Sequence, residues 1–129
     1  MTVNQSTKEY DIVPVAKPRM TRRDKWKPSK AALKYFAYRD EVKLRKVFIP
    51  ECNYHVIFIL PMPSSWSEIQ KKEMDGQPHQ QVPDKDNLEK GLLDAVYGND
   101  CRVWDGRATK RWGRKGKIIV MISNENQLP

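Results

Sequence analysis

Apolar and polar residues alternate along "EYDIVPVA" (residues 9–16), and the β-branched content of that stretch predicts a first strand. "KPRMTRRDKWKPSK" (17–30) breaks the pattern with prolines and cations and predicts a loop. Beyond it, Leu33, Phe36, Ala37, Leu44 and Val47 share one face of a helix predicted from an N-cap at Ser29 to about Lys46. "NYHVIFILP" (53–61) is apolar almost throughout, which predicts a central strand. Ser65 and Glu68 have the spacing of a capping box, opening a short helix that Gly76 and Pro78 close. The prolines of "QPHQQVP" (77–83) predict an irregular connector. Leu88, Leu92, Ala95 and Val96 then recur at helical spacing, predicting a helix from near Asp86 to a C-cap at Gly98. "RVWDGRATKRW" and "KGKIIVMIS" read as strands joined by a Gly-Arg-Lys-Gly turn, a predicted hairpin. The order β, α, β, α, α, β, β implies an α/β (α+β) domain built on a single mixed sheet with helices packed on it.

The chain of 129 residues fits one domain, 1–129, with residues 1–8 expected as a flexible lead-in. Charged residues make up 31% of it against 39% hydrophobic, so a second copy is expected to share its apolar surface. Lys and Arg number 24 against 16 Asp and Glu, a net charge of +8, which points to a polyanionic partner and first of all to nucleic acid. Cys52 and Cys101 lack CxxC or metal-type spacing, as suits a reducing cytoplasm. "MTVNQSTKEYD" has no apolar h-region, so no secretory leader is expected, and no run is long enough for a membrane span.

Against this basic background, residues 80–106 gather Asp84, Asp86, Asp94, Asp100 and Asp105. Such crowding is costly unless something positive sits among the carboxylates. In an extended segment Asp84 and Asp86 would point to the same side and could share a hard cation, Mg²⁺ or Mn²⁺. On the D-x-D spacing alone, the commoner reading is that Asp86 caps the helix and Asp84 is solvated. Lys90, one turn after Asp86, is either an ordinary i, i+4 partner or a cation placed beside a phosphate. Asp94 continues that face as a partner for Lys90. His55 and His79 have no second histidine nearby for a zinc site, and no Walker loop, GxSxG or Cys–His pair is present. Trp26 and Trp112 are interleaved with Arg and Lys, a composition used for stacking on unpaired bases.

"PDKDNLEKGLLDAVYGND" (83–100) closely resembles the signature of the RusA family of Holliday-junction resolvases, and "PVAKPRMT", "FILPMPSSWS" and a late lysine, Lys110, also match. The resemblance spans most of the chain. It implies a RusA-like dimeric fold and a Mg²⁺-dependent crossover junction endodeoxyribonuclease, with Mn²⁺ as a possible substitute. Such an enzyme makes paired nicks in opposing strands of four-way DNA, in the recombination and repair of a bacterial cell or phage-infected host. By the same resemblance Asp84, Asp86 and Asp100 are metal ligands, and with Lys90 they form the catalytic set; Asn87 and Lys110 contact DNA. Two departures stand out: Asn99 where some members carry a second acidic residue, and Pro83 where some carry Arg. Phosphate contacts are expected from Arg19, Arg22, Arg23, Lys25 and Lys27 in the basic loop, with further cations in 107–117. The alternatives are a non-catalytic basic DNA-binding module and a regulatory partner in a phage replication complex.

Overall fold

The computed structural model describes residues 5–98 and 101–123. Among them, β1 (Gln5–Tyr10), β2 (Tyr54–Pro61), β3 (Gly106–Gly113) and β4 (Lys117–Ser123) form one mixed sheet. Its order is β1-β4-β2-β3, with β2 parallel to β3 and antiparallel to β4, and β1 antiparallel to β4. Three α-helices accompany it: α1 (Lys30–Leu44), α2 (Glu68–Met74) and α3 (Lys85–Tyr97). The predicted α+β class with a single mixed sheet is the observed one.

β2 is central, as its composition required, and its burial alternates. Tyr54, Val56, Phe58 and Leu60 are buried, and with Ile118 and Val120 of β4 they meet Leu88 and Leu92 of α3 in the core. The insertion of this most apolar strand corrects the predicted hairpin. β3 and β4 are consecutive in sequence, but β2 lies between them and takes the ladder hydrogen bonds of both.

The first strand is also displaced from 9–16. Residues 5–8, expected in the flexible lead-in, pair with β4, and β1 ends at Tyr10. There the Ile12 amide turns back to the Tyr10 carbonyl at 2.9 Å, and Pro14 has no N–H to offer a ladder. The chain from Ile12 onward instead crosses to α3.

Ser29 caps α1 as predicted, its hydroxyl accepting from the Ala32 amide at 3.1 Å. The helix ends at Leu44, because Lys46 takes a left-handed conformation with φ 53°. The Lys46 and Val47 amides then return to Lys43 and Val42, the paired bonds of a Schellman motif, with Val42 and Val47 buried together. The buried face is rotated from the one predicted. Ala32, Tyr35, Tyr38 and Val42 face inward, whereas Leu33 and Leu44 are exposed. Tyr35 is accommodated because its hydroxyl reaches the Gly91 carbonyl of α3 at 2.7 Å. α2 is capped by Ser67, accepting from the Gln70 amide, rather than by Ser65. α3 matches its prediction to within a residue, and Gly98 closes it at φ 83°.

Gly106 faces Tyr54 across the β2–β3 ladder, and a Cβ there would lie 2.1 Å from ring atoms of Tyr54. The ring cannot move aside freely, since Tyr54 is buried and its hydroxyl is bonded to Glu89. Gly106→Ala should therefore cost roughly 1–3 kcal/mol, the usual range for overpacking, read as a lowered urea midpoint at unchanged m-value.

Candidate active site at the start of the third helix

The acidic motif sits on the first turn of α3, not on an extended segment. Asp84 is the N-cap, with backbone in the β region (φ −68°, ψ 147°), and its carbonyl accepts from the Asn87 and Leu88 amides at 3.1 Å. Its carboxylate makes no capping hydrogen bond. Asp86, expected as the cap in the structural reading, lies within the first turn. Asp84, Asp86, Asn87 and Lys90 are all exposed, and no hydrogen bond or ion pair of their side chains occurs among the described residues. The i, i+4 pairing of Asp86 with Lys90 is thus not formed. Carboxylates at a helix N-terminus are favoured by its dipole, which partly offsets their mutual repulsion.

The other aspartates of the cluster are engaged elsewhere. Asp94 forms an ion pair with Lys17, not Lys90, and its side chain is almost wholly covered. Lys17 arrives because the 15–17 segment crosses α3 at Gly91, where the Lys17 amide donates to the Asn87 carbonyl at 3.1 Å. A Cβ at Gly91 would stand 3.0 Å from the Lys17 nitrogen and the Val15 carbonyl, a tight contact, so the crossing favours glycine. Asp105 accepts from the Asn53 amide at 3.3 Å. Asn99 and Asp100 lie outside the described residues. Among the described residues no group of three or more His, Cys, Asp or Glu is placed to hold a metal ion. Asp84 and Asp86 themselves offer hard, unpaired oxygen donors, the ligand type that Mg²⁺ or Mn²⁺ takes.

The residues before Asp84 are fastened to β3. The Gly76 and His79 amides donate to the carbonyls of Trp112 and Lys110 at 2.9 and 3.1 Å, and the Trp112 amide donates to Gln77 at 2.9 Å. The connector thus covers the outer edge of the sheet, despite its prolines. Lys110 completes the attachment, its ammonium donating to the carbonyls of Gln81 and Pro83 at 2.7 and 2.8 Å. Strand alternation places Lys110 on the face opposite Arg107 and Arg111. The sequence suggested Lys110 as a DNA contact; its bonds here make it a clamp on the turn that carries Asp84. No spacing rule could have found that, because 27 residues separate Lys110 from Pro83.

Trp112 is buried against Trp66 and His79, with ring centroids 4.8 and 4.1 Å away, so it is not offered to a base. Trp26 remains exposed. In the basic loop, Arg22–Lys25 form a short 3₁₀ turn that Asp24 ties down, accepting from the Thr21 and Ser29 amides at 2.9 and 3.0 Å. Those amide bonds, Ser29 first, lower the Asp24 pKa. Arg19, Arg22, Arg23, Lys25 and Lys27 are exposed and enter no ion pair among the described residues.

Two predictions follow from the clamp and its neighbours. Lys110→Met should loosen the Asp84 turn and slow any catalysis there by roughly 10- to 100-fold, the scale on which small misplacements act. The salt dependence of DNA binding should change little, since this ammonium already donates two of its three N–H bonds to backbone carbonyls. Burial, then the charge of Lys110, lowers the His79 pKa. Its contribution to stability is therefore complete above the unfolded value of about 6.5 and is lost as pH falls through the folded value. His79→Phe keeps a ring beside Trp112, and its urea midpoint should fall less between pH 7.5 and pH 5 than that of the wild type.

A family profile described as "Endodeoxyribonuclease RusA" matches residues 9–123. A comparison with curated proteins gives no match. The match takes in the acidic turn, its clamp, the basic loop and all three helices; the chain belongs to the RusA endodeoxyribonuclease family.

Proposed function

We propose that the protein is a divalent-metal-dependent, structure-specific endodeoxyribonuclease that resolves four-way DNA junctions by paired nicks, acting as a homodimer. The observation that carries this reading is the pair of unengaged carboxylates, Asp84 and Asp86, on one helix turn of a strongly basic protein. An N-cap aspartate that forgoes its capping bond gives up about 1 kcal/mol of helix stability, which is intelligible if the carboxylate serves another partner.

In this reading Asp84 and Asp86, together with Asp100, hold Mg²⁺, with Mn²⁺ as a substitute. When bound, the metal supplies Lewis-acid polarisation of the phosphodiester and a more acidic water. The Lys90 ammonium, one turn along α3, offsets charge that builds on the phosphate in the transition state. Asn87 donates to a phosphate oxygen. Arg19, Arg22, Arg23, Lys25 and Lys27 neutralise backbone phosphates and set the register of the duplex.

A chain-length constraint bears on Asp100. From Asp86 to Tyr97 α3 rises roughly 16 Å, whereas the three residues from Tyr97 to Asp100 reach at most about 11 Å. The helix is as long as its pattern predicted, which favours Asp100 completing the site of the partner subunit.

Asp86→Asn should lower cleavage of a labelled four-way junction in Mg²⁺ by more than about 100-fold, beyond what loss of an outer-shell partner costs. Junction affinity should be unchanged or greater. Wild-type cleavage should vanish in EDTA while binding persists; binding with no cleavage under any divalent ion would leave a DNA-binding module. Mixing Asp86→Asn with Asp100→Asn protein and allowing subunits to exchange should restore nicking of single strands if the site is shared. A same-chain site predicts that the mixture stays inactive.

A further inference from the structure

At the far end of α3 from the acidic turn, the basic loop and α1 enclose a pocket of about 420 Å³. Its walls are Met20, Tyr35 and Phe36, its floor is the Lys17–Asp94 ion pair, and Lys25, Arg39 and Lys43 stand at its rim. The active-site chemistry does not use it. Apolar walls with a few converging polar groups are the usual make-up of a small-molecule site, and the volume lies within the usual range.

The groups present select the ligand. The Arg39 guanidinium lies 4.8 Å from the centroid of the Phe36 ring. Its Nε is buried without a hydrogen-bond partner, the nearest carboxylate oxygen being that of Asp40 at 3.6 Å. A flat, polarisable ligand can stack against this pair, and Arg39, its side chain 38% exposed, can donate to it from the terminal N–H groups. At the floor, an ammonium donor and a carboxylate acceptor lie side by side, as the edge of a heteroaromatic ring requires. Asp94 is neutralised by Lys17 and Asp24 is bonded to backbone amides, so the excess of rim cations favours an anionic substituent.

We infer that this pocket binds an unpaired nucleobase together with its phosphate, as a second DNA site apart from the acidic turn. A base within a duplex has its faces stacked and its edge paired, so only an extruded or single-stranded nucleotide can enter. The pocket touches Asp94 and Gly98, some 14–20 Å along α3 from Lys85. At 3.4 Å per nucleotide, a strand cut at the acidic turn reaches it about four to six nucleotides away. The site thereby reads the opened bases of a branched substrate. The inference rests on DNA being the substrate, and its test is separable from that of cleavage.

The full-length protein in EDTA is titrated with deoxycytidine 5′-monophosphate and, separately, with inorganic phosphate, following the Arg39 Nε–H by ¹⁵N NMR. A shift with the nucleotide and not with phosphate is the expected result; equal shifts, or none, overturn the proposal. Phe36→Leu and Arg39→Gln are then compared with wild type on single-stranded and duplex oligonucleotides. Each should weaken single-strand binding at least about fivefold at unchanged duplex affinity, since stacking on an aromatic contributes at least about 1 kcal/mol per base. Arg39 is surface-accessible enough to be replaced if Phe36→Leu fails to fold. An unchanged ratio overturns the pocket and leaves the nuclease reading intact. Absence of cleavage by wild type, with the nucleotide shift present, overturns the nuclease reading alone.

Discussion

The passage of residues 15–17 over α3 at Gly91 is the contact on which the arrangement depends. It gathers three bonds along about two turns of the helix: the Lys17 amide to the Asn87 carbonyl, the Lys17 ammonium to Asp94, and the Tyr35 hydroxyl to the Gly91 carbonyl. The first fixes where the basic loop begins, the second neutralises an acid beneath it, and the third ties α1 to the same place. An alanine at Gly91 would press on backbone atoms of the crossing segment, whose shift would move the loop that follows it. A basic surface and an acidic turn, far apart in sequence, are thereby attached to one helix.

The sheet holds the other side of the site. Because β2 lies inside, β3 is left with an outer edge, and the connector before α3 covers it through backbone bonds to Trp112 and Lys110. An exposed edge strand is ordinarily a hazard for association. Here its covering also positions the acidic turn, and the Lys110 ammonium closes the last gap by bonding the Pro83 carbonyl. The Trp66, Trp112 and His79 rings pack behind that covering.

Charge is sorted accordingly. Asp94, Asp105 and Asp24 are satisfied by a lysine or by backbone amides, so their charge is compensated locally. Among the described residues Asp84 and Asp86 stay uncompensated in solvent, as do Arg19, Arg22, Arg23, Lys25 and Lys27 of the loop. Water screens such groups at small cost, and that is why the fold tolerates them. Their concentration into separate acidic and basic regions contributes little to stability.

By itself the sequence determined the elements whose signals are local. The N-cap of Ser29, the α3 stripe ending at Gly98, the central apolar strand and the acidic motif were all legible, because each is set by neighbours within a turn or two. The family resemblance rested on the same kind of contiguous pattern, and the chain's membership of that family bears it out. The tertiary structure alone decided which strands pair, since β2 displaces a hairpin that turn chemistry favoured between β3 and β4. It decided which face of α1 is buried, where Tyr35 and Tyr38 pack inward and the Tyr35 hydroxyl finds the Gly91 carbonyl. It also assigned Asp94 to Lys17, Lys110 to Pro83 and Trp112 to the interior. These are contacts between residues dozens of positions apart, and their energies depend on proximity that no periodicity encodes.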